Sequence, residues 1–317
     1  MIWLLLAGCS APAAAQRPDS WPSRPITIVV GNPPGGQGDL VGRYLASRLG
    51  SRLGQPLVVE NRPGANAILA MEHVARQPGD GYTLFYGAVA SMAVNPALQP
   101  RLPIDVLRDF RPVAHLGAAP QCLFVHASLP VNNAREFVTY ARARPGQLTF
   151  ASFGVGSTSH LQGELLKQVA NIDMVHVPFR GSPQGMQELA MRRVDAFIID
   201  FVPATPFLAR QEVKCLAITG PQRFPGATEV PTFQEQGFPL ELVGWNGLFA
   251  PATTPATIVD ALAAEIVAVV RSEDGKANLA RLGLMPTGLG PSELGSIHRH
   301  DLQAWTEIVR RAGVSVE

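Results

Sequence analysis

The chain is short of charge, of cysteine and of long apolar runs, and each shortage closes off a class of protein. Only 16% of its 317 residues are Asp, Glu, Lys or Arg while 46% are hydrophobic, which excludes a disordered body and leaves enough chain for roughly two domains. The 26 basic and 25 acidic residues nearly cancel, and no basic block carries interleaved aromatics. Nucleic acid and anionic membrane surfaces are therefore not expected partners. Three cysteines without a Cys-x-x-Cys exclude a zinc ribbon and a thioredoxin-like motif. Cys122 and Cys215 sit in apolar, strand-like runs and are expected as buried thiols; an oxidising compartment would permit a disulfide that sequence cannot place. Gly-x-Ser-x-Gly and His-Glu-x-x-His are both absent, so the usual groups of serine and zinc hydrolases are missing. No cofactor is expected.

The apolar run of residues 2–7 is too short to span a bilayer. It leads into Ala13-Ala14-Ala15-Gln16, the small-residue form of a signal-peptide cleavage site, so residues 1–20 are expected to be an export leader. No basic residue precedes the run, a departure that a misplaced start codon would explain. Leu6-Ala7-Gly8-Cys9 also has the form of a lipoprotein box, in which Cys9 would be lipidated. Both routes lead out of the cytoplasm, and the alanine-rich site favours soluble export.

What is present is organised around residues 26–50. Ile26-Thr27-Ile28-Val29-Val30 predicts a buried strand; Gly31-Asn32-Pro33-Pro34-Gly35-Gly36-Gln37-Gly38-Asp39 predicts a tight loop; Leu40, Val41, Tyr44, Leu45 and Leu49 predict a helix. The first amides of a helix lack intrahelical partners, and they give such a loop donors and a partial positive charge for an anion. Gln37-Gly38 stand where a P-loop needs Lys then Ser/Thr, and the spacing Gly-x-Gly-x-x-Gly is absent. A nucleotide is disfavoured and a small carboxylate becomes the leading ligand class.

Further on, strands alternate with helices, which predicts α/β lobes with mostly parallel sheets. Residues 57–60 and 82–86 read as strands, the latter followed by a small-residue loop, 87–91, containing Ser91, and by Asn95-Pro96. The strand 148–152 runs into Phe153-Gly154-Val155-Gly156-Ser157-Thr158-Ser159 and a helix from about His160, repeating the first device. Ser157, Thr158 and Ser159 can each cap that helix, with Ser159 and Gln162 at capping-box spacing. Asp200 ends the strand 195–199, where site residues of open sheets lie, although capping the next segment would equally explain it. Two such loops facing across a cleft could clamp one anion. Thr254 and Pro255 are expected as N-cap and N1 of a late helix, and Gly290-Pro291 as the opening of the last. His298 and His300, two apart, fall on different faces of that helix, which argues against a metal site.

An ordered set of motifs carries a family resemblance. It comprises Trp21-Pro22-Ser23-Arg24-Pro25-Ile26, Pro34-Gly35-Gly36 with Asp39, Val58-Val59-Glu60-Asn61-Arg62-Pro63-Gly64, Asp80-Gly81-Tyr82-Thr83-Leu84 and Asn95-Pro96. It continues through Gly154, Gly156-Ser157-Thr158, His160-Leu161, His176-Val177-Pro178-Phe179-Arg180-Gly181, Val230-Pro231-Thr232 and Gly247-Leu248-Phe249-Ala250-Pro251. From about Trp21 to the C-terminus the chain resembles the Bug-type substrate-binding proteins of tripartite tricarboxylate transporters.

The resemblance implies a periplasmic-binding-protein fold of type II, a Venus flytrap of two lobes: 21–119 with 245–317, and 120–244. It implies a monomeric receptor that captures a small organic acid for the membrane subunits of such a transporter. The ligand-binding positions it implies are Asn32, Pro34, Gly35, Gly36, Gln37, Gly38 and Ser91 in the first lobe, with Gly156, Ser157, Thr158 and Asp200 in the second. Asp39 and Asn95 are expected to brace the first lobe's loops, because the Asp39 carboxylate would repel an acid but suits a helix N-terminus. The family usually has Pro-Phe at Gly31-Asn32 and small hydroxyl residues at Gln37-Gly38, so an apolar wall is replaced by amides and a more polar ligand is expected. Two alternatives remain at this point: a periplasmic sensor that feeds a signalling receptor, and an enzyme acting on a small carboxylate, for which no nucleophile–base pair is evident.

Overall fold

The structure is a computed structural model that describes residues 21–99 and 101–314. The expected leader and Cys9 lie outside the described residues. In chain order the first lobe begins with β1 (Ile26–Val30), α1 (Gln37–Leu53), β2 (Leu57–Asn61), α2 (Ile68–Ala75) and β3 (Thr83–Ala88). A π-helical turn, Ala90–Val94, then feeds α3 (Asn95–Leu98) and β4 (Phe110–Ala119). After Pro120 come β5 (Gln121–His126), α4 (Ala134–Arg142), β6 (Leu148–Ser152) and α5 (Thr158–Ala170). β7 (Met174–Pro178), α6 (Ser182–Ala190), β8 (Ala196–Asp200), α7 (Phe201–Ala209) and β9 (Val213–Ile218) follow. The chain ends with β10 (Gly244–Pro251), α8 (Ala256–Arg271), α9 (Glu273–Arg281), β11 (Met285–Leu289) and α10 (Pro291–Ala312).

These strands form a six-stranded sheet, β11-β4-β10-β3-β1-β2, and a five-stranded sheet, β7-β6-β8-β5-β9. Both are mixed rather than mostly parallel. β1 is parallel to β2 and β3, and β6 to β7 and β8, as βαβ connections require. The strands beside the lobe crossings run the other way: β10 is antiparallel to β3 and β4, and β5 to β8 and β9. The direction reverses because β4 and β10 carry the chain out of and back into the first sheet.

Strand alternation divides the first core between two faces. Ile26, Ile28, Val30 and Tyr86 face α1 and α8, burying Val41, Leu45, Leu49, Leu262 and Ile266. Val29 and Phe85 face the opposite side with α2 and α10, where Met71, Val74, Leu294 and Trp305 are buried. In the second sheet, Leu123, Phe150 and Ile198 pack on α4 and α5, while Phe124, Phe197 and Ile199 pack on α6 and α7. Leu161, from α5, crosses this division and is buried with the first lobe's Trp245, Leu294 and Trp305.

Of the three cap candidates before α5 the structure selects one, and the start of α8 moves. The residue preceding α5 is Ser157, whose hydroxyl accepts from His160 N–H at 3.2 Å, and Gln162 instead donates to Leu242 O at 2.7 Å, so no capping box forms at Ser159. α8 begins at Ala256 after Pro255, one residue later than expected, and Thr254 is buried with its hydroxyl unpartnered. Cys122 and Cys215 are free thiols; Cys122 is buried and Cys215 partly so.

Candidate functional site

Three strand ends place their loops around one cleft of about 420 Å³ between the lobes. The loop after β1 contributes Gly31, Asn32 and Pro33, and the segment after β3 contributes Ala90, Ser91, Val94 and Asn95. The loop between β6 and α5 supplies Phe153 to Thr158 from the opposite side. None of the lining residues is Asp, Glu, Lys, Arg or His, so any charge held there must be held by backbone and neutral side-chain dipoles.

The loop after β1 is braced from behind. The Asp39 carboxylate accepts from Gly35 N–H at 2.9 Å, from Arg43 Nε at 2.9 Å and from Asn61 Nδ2 at 3.0 Å. The Arg43 guanidinium, helped by the Gly35 amide, holds its pKa down at about 2. Asn61 Nδ2 also donates to Asn32 O at 3.1 Å, which ties the loop to the end of β2. Gly38 lies so close to its neighbours that a Cβ there would stand 2.4 Å from Asn32 Oδ1 and 2.9 Å from Tyr86 Cε1. Asn95 Nδ2 donates to Asn66 O at 2.7 Å, and Asn66 itself is left-handed (φ 52°).

The second lobe's loop is held with equal care. Ser157 Oγ donates to Gly154 O at 2.6 Å while capping α5. Gly156 is left-handed (φ 73°), a conformation that favours glycine, and its N–H donates to His160 Nδ1 at 3.1 Å. Thr158 is the first residue of α5, so its N–H has no intrahelical acceptor. Its hydroxyl accepts from Gln121 Nε2 at 3.1 Å, which leaves the hydroxyl proton available to a ligand.

Of the expected binding residues, Asn32, Ser91, Gly156, Ser157 and Thr158 line the cleft, as does Asn95. Pro34, Gly35, Gly36, Gln37 and Gly38 belong to the same loop but do not line it. Gln37 has its side-chain amide engaged elsewhere, donating to Leu282 O at 2.8 Å. Ser91 Oγ accepts from Ala88 N–H and donates to Ala88 O, so its proton is spent within the turn. Asp200 stands one residue back: Gln121 Nε2, bonded to Thr158, lies 3.4 Å from Asp200 Oδ1. Burial pushes the Asp200 carboxyl up to about 6, partly offset by Gln121. Asp200 precedes α7 without making a side-chain cap bond.

Sequence reasoning missed Tyr86, Gln121 and the Pro63-Gly64-Asn66 side of the cleft. Tyr86 is 3% exposed with its hydroxyl unpartnered, and burial pushes its phenol well above the usual range. Its position near the carboxyl end of β3 was the available signal.

Two mixed α/β sheets, joined by two strand connections and closing on a ligand-sized cleft, define a two-lobed solute-binding receptor. The chain belongs to the tripartite tricarboxylate transporter receptor family, whose model matches residues 41–314. It is a solute receptor and not an enzyme. It is 35% identical over 308 residues to the UPF0065 protein of the tcbD-tcbE intergenic region of Pseudomonas sp. strain P51, covering 96% of this chain and 91% of that one. Protein BugT of Bordetella pertussis is 31% identical over 318 residues, covering 100% of this chain and 97% of BugT. Among solved structures, R. palustris Rpa4515 with adipate superposes with a TM-score of 0.81 at 33% identity, covering 93% of this chain and 99% of its own. MatC from Rhodopseudomonas palustris with bound malate gives 0.76 at 33% identity, covering 91% and 100%.

Proposed function

We propose that this protein is a periplasmic receptor that closes its lobes on a small organic acid and hands it to the membrane subunits of a tripartite tricarboxylate-type transporter. The observation that carries the reading is the facing pair of strand-end loops, each braced from behind and each presenting neutral donors to a cleft without charged side chains. Thr158 N–H and Oγ–H supply the second lobe's part of the carboxylate contact, and Asn32 belongs to the first lobe's part. Pro34, Gly35, Gly36, Gln37 and Gly38 shape the first loop, and Asp39 and Asn95 brace it. Ligand contacts to both lobes favour the closed state. Among the described residues no helix is long and apolar enough to cross a membrane. Soluble export and a monomeric state are part of the proposal.

Native mass spectrometry on periplasmic protein, followed by a thermal-shift screen of di- and tricarboxylates, amino acids and aromatic acids, tests the reading. A ligand at about 100 times its Kd adds roughly 2.7 kcal/mol. Ser157→Ala with Thr158→Val should weaken binding about tenfold and cost about 1 kcal/mol of fold stability through the lost cap. Unchanged affinity would remove the second-lobe loop from the site.

A further inference from the structure

The first lobe's side of the cleft includes a stretch of backbone in an unfavourable conformation. Ala65, Asn66 and Ala67 follow one another with positive φ, at 46°, 52° and 75°, and none of them is glycine. Left-handed backbone crowds a Cβ, and asparagine tolerates it better than alanine does. The surroundings hold the turn in place. Asn95, itself 3% exposed, donates from Nδ2 to Asn66 O at 2.7 Å, and Ala67 N–H donates to Gly64 O at 3.0 Å. Ala67 also presses on the loop after β1, where a Cβ on Gly31 would stand 2.2 Å from Ala67 Cβ. Strain that is fixed from several sides beside a cleft marks a group positioned for a ligand.

Asn66 is exposed and lines the cleft. Only its carbonyl is engaged; its N–H and its side-chain amide have no hydrogen-bond partner among the described residues. Most of what it leaves open is donor, the backbone N–H together with the side-chain NH₂. Donors suit a negative group, because a charge-assisted hydrogen bond is the stronger kind and dipoles fixed in advance can hold an anion without a cation. We infer that Asn66 is a specificity determinant, which holds the second carboxylate of a dicarboxylic acid whose first carboxylate lies between Thr158 and Asn32. The inference rests on the receptor reading above and gives Asn66 a task separate from theirs. An acid with an alkyl end would leave the Asn66 donors unanswered, and the site rejects it for that reason.

Titration calorimetry on the intact receptor tests this with alkanoates and dicarboxylates of matched length, about four to six carbons. The dicarboxylate should bind about tenfold more tightly than its alkanoate. Asn66→Gly suits the positive φ and removes only the side chain; it should lower dicarboxylate affinity about tenfold and close most of that gap. Asn66→Asp keeps the shape and also tolerates left-handed backbone, yet it should lower dicarboxylate affinity further, because one carboxylate then faces another. A residue that served only the turn would show no such order and would shift both acids alike. Dicarboxylate affinity that survives either variant, or equal binding of the two acids to the unmodified receptor, would overturn the inference and leave the receptor reading standing. Failure of every acid to bind would overturn both.

Discussion

The imidazoles of His160 and His176 lie face to face, with centroids 3.7 Å apart and planes 12° from parallel. One comes from α5 and the other from β7, and Phe150 extends the stack at 4.9 Å from His176. Together they hold the second lobe's loop from beneath. His160 Nδ1 accepts the Gly156 N–H, while His176 Nε2 lies 2.7 Å from Ser152 Oγ, which bonds both polar groups of Gly154.

This pair makes the receptor sensitive to acid. Burial first, then the Lys167 charge, lowers His160 to about 4; burial, His160 and Lys167 lower His176 to about 4. From the ordinary value of 6.5 down to about 4 the unfolded chain binds protons that the native pair refuses, so stability should fall as pH drops through that window. Thermal melts across the window check this. His176→Phe, which keeps a stacked ring without a titrating group, should flatten part of the slope and cost about 1 kcal/mol for the lost Ser152 bond.

Asp200 should act in the opposite sense. Its carboxyl is raised from 3.8 to about 6 by burial, so across that window the native state keeps a proton that the unfolded chain has released. Stability from this group is present at low pH and is lost as pH rises toward 6. Above that range the ionised group also repels a bound acid, so affinity should fall several-fold between about pH 5 and about pH 8. Asp200→Asn should remove the affinity trend and stabilise the fold at neutral pH by about 1 kcal/mol, because an amide can donate to the orphaned Gln121 Oε1. A pH-independent affinity in the unmodified receptor would contradict this account.

Gly38→Ala should destabilise the fold by about 1–3 kcal/mol, since the new methyl meets the buried Tyr86 ring as well as Asn32. Urea unfolding reads the cost directly. Asn32→Ala removes one of the two clashes, so the double variant should recover part of the loss.

Leu161→Ala should cost about 2–5 kcal/mol by opening a cavity among Trp245, Leu294 and Trp305. Because the leucine belongs to α5 and its surroundings to the first lobe, the variant should also weaken ligand affinity. Equilibrium unfolding combined with calorimetry separates the two effects.

Most of the scaffold was legible in the sequence, for reasons that particular residues illustrate. Ile26 to Val30 followed by glycines and a 3.6-period stripe admits little besides strand, loop and helix, and Phe150-Ala151-Ser152 before Gly154 repeats it. The antiparallel partners were not legible, because strand direction is fixed by where β4 and β10 cross between lobes and local pattern carries no trace of it. α7, α9 and β11 also escaped local reading: α7 holds Pro206 within it, and β11 is short and interrupted by Pro286 and Gly288. In the site, the loops were visible as glycine and hydroxyl clusters. Tyr86 was hidden because an aromatic in a strand reads as core, and Gln121 because its role depends on Thr158 and Asp200, which only tertiary structure brings together.

The two connections between the lobes are very unequal. One runs through residues 219–243, with Phe224, Phe233 and Leu240 buried along it; the other is Pro120 alone. Proline fixes its own φ and donates no hydrogen bond, so rotation at the short tether is confined to a few torsions around Ala119 and Gln121. Gln121 is also the residue that touches Thr158 and Asp200. The pivot is thus bonded to Thr158, which lines the pocket, and a spectroscopic reporter placed on β5 near that pivot would register ligand capture without touching the ligand.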